Sequence, residues 1–292
     1  MQYGLGYMGS KSKLADKIGH YLPSAACFVD LFAGGCAMTD WAMQSGKYRN
    51  FIANDLRKPS PVDLFKNAID GIYAKDKFQP EWISREKFHE LKEVDPYVKY
   101  IWSFGNNGKG YIFGKESEVI KKAGHDLVVN RELTAPLIGL LSDEFVEHLI
   151  LEPCINQRRM ALSREAGRNF ELQQLEQLQQ LERLERLERL EVCASSYQDV
   201  NIPDDCIIYC DPPYFGTAGY DKNLFNHDEF WQWCRDQKHS VFVSEYTAPS
   251  DFIVVAEIMH RSTLSGSSNT KNSVENLYWN GKGAAPIISR LI

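Results

Sequence analysis

The sequence predicts an α/β fold: a Rossmann-like, mostly parallel sheet with helices on both faces, plus an inserted, mainly helical subdomain. Three observations predict it. Short apolar runs alternate with helical stretches in the first 55 residues, the same alternation returns over roughly the last 90, and the region between them has a different texture of longer amphipathic segments. With 292 residues and 43% hydrophobic content, the chain is long enough for one large domain or two modest ones around a real core.

The elements follow in order. "CFVDLF" is a short apolar run that reads as a strand, "AGG" as a tight turn, "CAMTDWAMQSG" as a helix ending at Gly46, and "NFIAND" as the next strand. From about Leu56 to Phe170, "PEWISREKFHELKEV" has a proline entry and helical periodicity, and "ELTAPLIGLLSDEFVEHLILEP" reads as one or two helices. Within that region "WSFGNNGKGYIFG" places five glycines or asparagines in a tight turn flanked by aromatics. Towards the C-terminus come strand "CIIYC", a turn at "DPPY", helix "HDEFWQWCRDQ" and strands "SVFVSEY" and "FIVVAEI". Adjacent prolines at 212 and 213 remove two backbone donors and fix two φ angles, so the strand before them ends at Asp211. The expected organisation is one α/β domain from residues 1–55 and 193–292, with an inserted subdomain over 56–170.

Residues 171–192 stand apart, because Leu172, Leu175, Leu178, Leu181, Leu184, Leu187 and Leu190 recur every three residues. On an α-helix a step of three lags by about 60°, so the leucines wind round the cylinder and form no coiled-coil seam. Strong helix formers and Glu/Arg pairs favour a helix; a repeat-built solenoid edge and a mobile insertion stand as alternatives. No catalytic role is assigned to the segment.

Composition narrows the class. The seven cysteines are odd in number and contain no CxxC pair, which argues against a disulfide framework and a zinc site. Cys206 and Cys210 lie four apart in an expected strand, on one face and too distant to bridge, so they read as buried apolar residues. The N-terminus lacks an apolar signal region and no later segment approaches a membrane span, so a soluble, cytoplasmic protein is expected. The net charge of -6 withholds the usual support for a nucleic-acid partner, although it leaves room for a local basic face.

Open parallel sheets bind ligands beyond the carboxyl ends of their strands. Three motifs fall at such ends: Asp30 with Ala33, Gly34 and Gly35 after the first strand, Asp55 after the second, and Asp211 after a later one. Small residues let a ligand approach the backbone, and an acid closing a strand is a usual partner of ribose hydroxyls. A nucleoside-bearing cofactor lying on Gly34, with its ribose on Asp55, would direct its reactive end toward Asp211.

In this order "GYMGSK", "DLFAGG", "IAND" and "DPPY", with a large insertion before the last, resemble the DNA adenine-N6 methyltransferases of the Dam-like (D12 class, alpha) group, particularly its phage-type members. "SFGNNGK", "SEYTAPSDF" and "ENLYW" are similar to segments of the same members. The resemblance implies methyl transfer from S-adenosylmethionine to adenine N6 in double-stranded DNA, with no metal, in a bacterial or phage-infected cytoplasm. It implies that Tyr7, Lys11, Asp30, Phe32, Gly34, Asp55 and Asp211 border the cofactor, and that Asp211, Pro212, Pro213 and Tyr214 are the catalytic tetrapeptide. Tyr214 would stack on a flipped adenine and Phe215 extend the wall. Cys36 departs from the family pattern, standing where many members have the last glycine of the loop.

Target reading is expected of the inserted region, since a sheet edge alone offers no element for the major groove. Asn106, Asn107 and Lys109 form a polar loop that either touches DNA or braces the active site. Lys121, Lys122, Arg158, Arg159, Arg164 and Arg168 are candidates for phosphate or base contacts. The rival readings are the same chemistry on RNA adenine or on cytosine N4, and a non-catalytic DNA-binding or assembly protein that uses the leucine repeat for partners.

Overall fold

A computed structural model describes residues 2–6, 9–167, 170–184, 190–214, 225–262 and 271–288. The chain divides into two compact units, one of Met1–Leu5, Gly9–Val62 and Glu188–Ile292, the other of Gly6–Met8 and Asp63–Leu187. The strands, in chain order, are β1 (Cys27–Asp30), β2 (Asn50–Asn54), β3 (Leu190–Cys193), β4 (Cys206–Cys210), β5 (Ser240–Glu245), β6 (Ile253–Ser262) and β7 (Lys271–Trp279). The α-helices are α1 (Ala15–Tyr21), α2 (Ala37–Ser45), α3 (Pro61–Ile69), α4 (Arg85–Leu91), α5 (Pro96–Ile101), α6 (Lys115–His125), α7 (Asp143–Leu151), α8 (Ile155–Ala166), α9 (Gln173–Glu182) and α10 (His227–Asp236).

The first unit is built on a seven-stranded sheet of order β3-β2-β1-β4-β5-β7-β6. The first five of these run parallel, while β7 is antiparallel to both β5 and β6. All five residues of β4 are buried, as expected for a central strand covered on both faces. On one face Phe28 stacks near Tyr209 and Tyr48, and Tyr48 meets Trp41 of α2. On the other Cys27, Val29, Ile208 and Val243 pack against Phe230, Trp231 and Cys234 of α10. Cys206 and Cys210 belong to this second cluster, as free thiols on one face. The α/β fold with helices on both faces is therefore present.

Two strands had no counterpart in the sequence reading. The end of the leucine repeat, "LEVC", is the edge strand β3, paired with β2 from Leu190 to Cys193. The "ENLYW" segment lies in β7, inserted between β5 and β6. Antiparallel direction has a consequence there. Asn276 pairs with Glu245, the last residue of β5, so Glu275 lies just past the carboxyl edge of the parallel strands.

In the second unit, Ala123, Leu127, Val128, Val146, Leu149, Leu162 and Leu172 form the core. Helix α4 begins at Arg85, later than the proline entry suggests, because Ser84 caps it, its hydroxyl accepting a hydrogen bond from Lys87 N at 3.2 Å. Trp82 stays outside the helix and meets Trp102 edge-on. Ser142 caps α7 in the same way through Phe145 N. Within the repeat, Leu175, Leu178 and Leu181 are all buried on α9, with Leu172 and Leu184 buried just beyond its ends. Three leucines drifting by about 60° each stay within one broad face, so a helix this short avoids the winding that a long one would suffer. Leu187 lies outside the described residues.

The first unit's N-terminal segment is laid across the loop after β1. Gly4 N donates to Asp40 Oδ2 at 2.8 Å, Leu5 N to Gly35 O at 2.7 Å, and Tyr3 N to Ser12 Oγ at 2.8 Å. Gly4 has φ +64°, and a Cβ there would meet Gly35 O at 2.4 Å and Ala37 N at 2.7 Å. Both obstacles are backbone atoms that cannot turn aside. Gly4→Ala is therefore expected to cost about 2–4 kcal/mol of stability, read as a lower urea midpoint with unchanged slope.

Candidate active site

Strand polarity assembles the candidate residues. Asp30 ends β1 and pairs in register with Ala53 of β2 and Tyr209 of β4, so Asp30, Asp55 and Asp211 lie along the same carboxyl edge. Asn54 joins the turns beyond these ends: its side-chain amide donates to Leu31 O at 3.0 Å and Ser195 O at 3.1 Å.

Asp211 sits at the centre of a buried charged group. Lys11, from the 3-10 turn Lys11–Lys13, places its ammonium 2.8 Å from Asp211 Oδ2 and 3.5 Å from Glu275 Oε1. The same ammonium lies 4.8 Å from the centre of the Tyr214 ring, a cation–π contact. Tyr214 in turn meets Tyr246 edge-on, with ring centres 4.9 Å apart. Asn276 Nδ2 and the Tyr278 hydroxyl both donate to Tyr246 O, at 3.1 and 3.2 Å, which fastens the segment after β5. Burial raises the Asp211 carboxyl above its ordinary value; the Glu275 charge adds to this and Lys11 opposes it. For Lys11 burial works against the charged form, but Asp211 and Glu275 outweigh it and hold the ammonium above the usual lysine value.

Asp30 is fully withdrawn from solvent. Thr39 of α2 donates to its Oδ2 at 2.8 Å, while its Oδ1 has no hydrogen-bond partner. Burial pushes its carboxyl up to about 7, against the Thr39 hydrogen bond and with a further push from Asp211. Gly34 adopts φ +49° in the adjoining loop, and Cys36 follows at φ +59°, a left-handed conformation that disfavours any side chain. Glycine avoids that strain, which is the physical content of the departure at Cys36. Phe32 faces Tyr197, Phe225 and Phe230 in an aromatic cluster.

Asp55 is buried and held by Arg57. The Arg57 Nε and backbone N donate to Asp55 Oδ1 at 2.7 and 3.0 Å, and Nη2 reaches Oδ2. Tyr7 and Phe215 lie outside the described residues, as does Arg168. Pro212 and Pro213 follow Asp211 without regular structure, as a stiff exit from β4.

The polar loop belongs to the second unit. Asn107 Oδ1 accepts from Lys109 N at 2.8 Å and Asn106 Oδ1 from Gln177 Nε2 at 3.1 Å, so both asparagines are engaged within that unit. Lys109 and Phe104 are exposed. Among the basic candidates Arg158 must be corrected. It is buried, its Nε donates to Val128 O at 2.5 Å and Nη1 to Glu152 O, and it clips helix α8 to the preceding turns. Lys122 pairs with Asp126 at 2.6 Å, and Arg159 bonds Asn156. Arg164 is exposed.

The sequence reading missed Glu275, Arg57 and Tyr246. For Glu275 a signal existed: strand alternation in "ENLYW" puts it on the same side as Leu277, and an acid at an inward position of a strand is an anomaly. Among the described residues, no cluster of His, Cys, Asp and Glu side chains is arranged to hold a metal ion, and no helix is long and apolar enough to cross a membrane.

The family model described as D12 class N6 adenine-specific DNA methyltransferase matches residues 7–135. The matched stretch contains "YMGSK", "DLFAGG", "IAND" and "SFGNNGK" and stops short of "DPPY". Over that stretch it bears out the resemblance to the D12 class, without distinguishing phage-type members. No curated protein matches the sequence. Among solved structures, the chain is similar to the rRNA methyltransferase aviRa from Streptomyces viridochromogenes, with TM-score 0.36, 10% identity, and coverage of 91% of this chain and 83% of that one.

The raised Asp30 value ties stability to pH. Between the ordinary carboxyl range and about 7 the folded state binds a proton that the unfolded state has lost, so stability falls as pH rises through this window. Asp30→Asn keeps the size and an acceptor for Thr39 but removes the ionisation. It is expected to raise stability by roughly 1–3 kcal/mol near pH 8 and to change it little near pH 4, measured by urea unfolding at both values.

Proposed function

We propose, from the match of residues 7–135 to the family model described as D12 class N6 adenine-specific DNA methyltransferase, that the chain transfers a methyl group from S-adenosylmethionine to N6 of adenine in double-stranded DNA, at Asp211–Tyr214. The observation that carries the proposal is the placement of Asp211: a half-buried carboxylate just past the end of β4, paired with Lys11 and followed by two prolines and Tyr214, on the same edge as Asp30 and Asp55.

The donor fits residues of this edge. Asp30 Oδ1 is a buried acceptor without a partner, suited to a hydrogen-bond donor of the cofactor. Gly34, at φ +49°, presents backbone without a side chain in the loop, and Asp55 is the carboxylate for the ribose hydroxyls, which must share or displace the Arg57 guanidinium. When bound, the cofactor supplies an electrophilic methyl group on a cationic sulfur.

The protein's task is then to sharpen a poor nucleophile. The N6 lone pair of adenine is delocalised into the ring. Hydrogen bonds from its two amine protons to the Asp211 carboxylate and the Pro212 carbonyl localise that pair and aim it at the methyl carbon. The donor, held by Asp30, Gly34 and Asp55, would supply the methyl group for the new carbon–nitrogen bond and keep the electron pair of the broken carbon–sulfur bond on sulfur, while the extra amine proton would pass to Asp211. The prolines keep the carbonyl fixed, so transfer needs mainly alignment. Adenine in a duplex must first be flipped out, and Tyr214 supplies a face for it to stack on, worth about 1–3 kcal/mol.

Incubation with labelled donor and either duplex DNA or RNA, followed by nucleoside identification, tests the proposal. N6-methyladenine from DNA is expected; label only in RNA, or in cytosine, would overturn it. Asp211→Ala is expected to abolish transfer with donor affinity held within about threefold, whereas Asp55→Ala weakens donor binding by about tenfold or more. Equilibrium binding of the donor separates the two variants.

A further inference from the structure

Glu275 is one of the few acids withdrawn almost completely from solvent, at 2% exposure. It reaches the site only because β7 runs antiparallel and brings its early residues to the carboxyl edge. Its carboxylate is 3.5 Å from the Lys11 ammonium, which in turn lies 2.8 Å from Asp211. A lone Asp211–Lys11 pair would be neutral and would hold the aspartate's charge on the lysine. A second carboxylate changes that balance: two carboxylates against one ammonium leave one negative charge in a site from which water is largely excluded.

We propose that Glu275 is a positioning residue for the methyl-transfer centre, sharing the Lys11 ammonium so that the lysine is not spent on Asp211 alone and Asp211 keeps an oxygen for the incoming amine. The proposal rests on the reading of Asp211 as the acceptor for the target amine. The surplus negative charge suits the reaction as well. Positive charge resides on the donor sulfur before transfer and on the amine nitrogen during it, so one anionic group in the site stabilises both without neutralising Asp211. Glu275 touches neither substrate nor donor in this account; it acts through Lys11.

The groups facing Asp211 are Lys11 from its 3-10 turn, Glu275 from β7, Tyr209 and Cys210 from β4, Tyr214 from its own turn, Tyr246 from the segment after β5, and Asp30 from the end of β1. Of these, Lys11 and Glu275 are the charged pair in direct contact with each other. The Asp211 titration therefore reports their balance.

The test follows the Asp211 carboxyl carbon by NMR in protein labelled at aspartate, with Asp211→Asn to assign the signal. Glu275→Gln removes the neighbouring charge and leaves Lys11 to Asp211 alone, so the Asp211 midpoint is expected to move to lower pH. Lys11→Met removes the shared cation, and the midpoint is expected to rise. Glu275→Asp keeps the charge and is expected to leave the midpoint nearer wild type than Glu275→Gln does. In single-turnover assays Glu275→Gln is expected to slow transfer by about 10–100-fold with donor affinity held within about threefold, and Glu275→Asp to recover part of the loss. An Asp211 midpoint indifferent to Glu275→Gln overturns the inference, as does equal behaviour of the Gln and Asp variants. If Glu275→Gln fails to fold, an unmoved midpoint in Lys11→Met overturns it instead. The titrations need no turnover, so wild-type protein that methylates no adenine defeats the functional reading while the charge coupling is still judged. Normal transfer in Glu275→Gln defeats this inference alone.

Discussion

Taking two carboxylates and an ammonium out of water together is the constraint on which the rest of the active edge depends. An unpaired buried charge costs several kcal/mol, so Asp211, Lys11 and Glu275 must be delivered to one point by three elements that are far apart in sequence. The parallel strand β4 delivers Asp211, and the antiparallel β7 delivers Glu275 from the opposite direction. Lys11 comes from a short turn whose neighbour Ser12 receives Tyr3 N, while Gly4 and Leu5 are fastened to α2 and the glycine loop. The N-terminal segment is therefore part of the site's foundation.

The same edge concentrates features that oppose stability. Asp30 lies fully buried with one oxygen unpartnered, and Cys36 occupies a left-handed conformation at φ +59°. Each such feature costs on the order of 1–3 kcal/mol and persists only where the surrounding packing overrides it. Here the packing is a sheet covered on both faces by aromatic and aliphatic side chains, from Phe28 and Tyr209 on one side to Phe230 and Trp231 on the other. Rigid strands hold a strained, charged rim, an arrangement that suits a reaction depending on alignment.

The leucine repeat has a more ordinary physical role than its appearance in the sequence implies. Leu172, Leu175, Leu178, Leu181 and Leu184 are all buried, and Leu172 and Leu175 join the core of the second unit. The helix stops before the three-residue step can carry a leucine to the solvent side, and Leu190, the last leucine of the repeat, begins an edge strand. Arg158 illustrates the opposite error of expectation. Read as a candidate for a phosphate or base contact, it instead satisfies the carbonyls of Val128 and Glu152 in the interior, because long side chains can bury their charge wherever backbone acceptors converge.

Much of this protein was legible in its sequence, for local reasons. Apolar runs without alternation mark buried strands, two prolines stop β4 just before Asp211, and an acid or glycine loop after a strand marks the carboxyl edge; each depends only on neighbouring residues. The order of motifs likewise indicated the family that residues 7–135 match. Tertiary structure alone decided which strand lies beside which and in what direction. Strand β7 could not be oriented from "ENLYW", so nothing in the chain announced that Glu275 would meet Lys11, more than two hundred residues away in sequence. Nor could local pattern show that Arg57 would grip Asp55 or that the last residues of the repeat would pair with β2. Those outcomes depend on charge burial and sheet register, which are properties of the assembled fold.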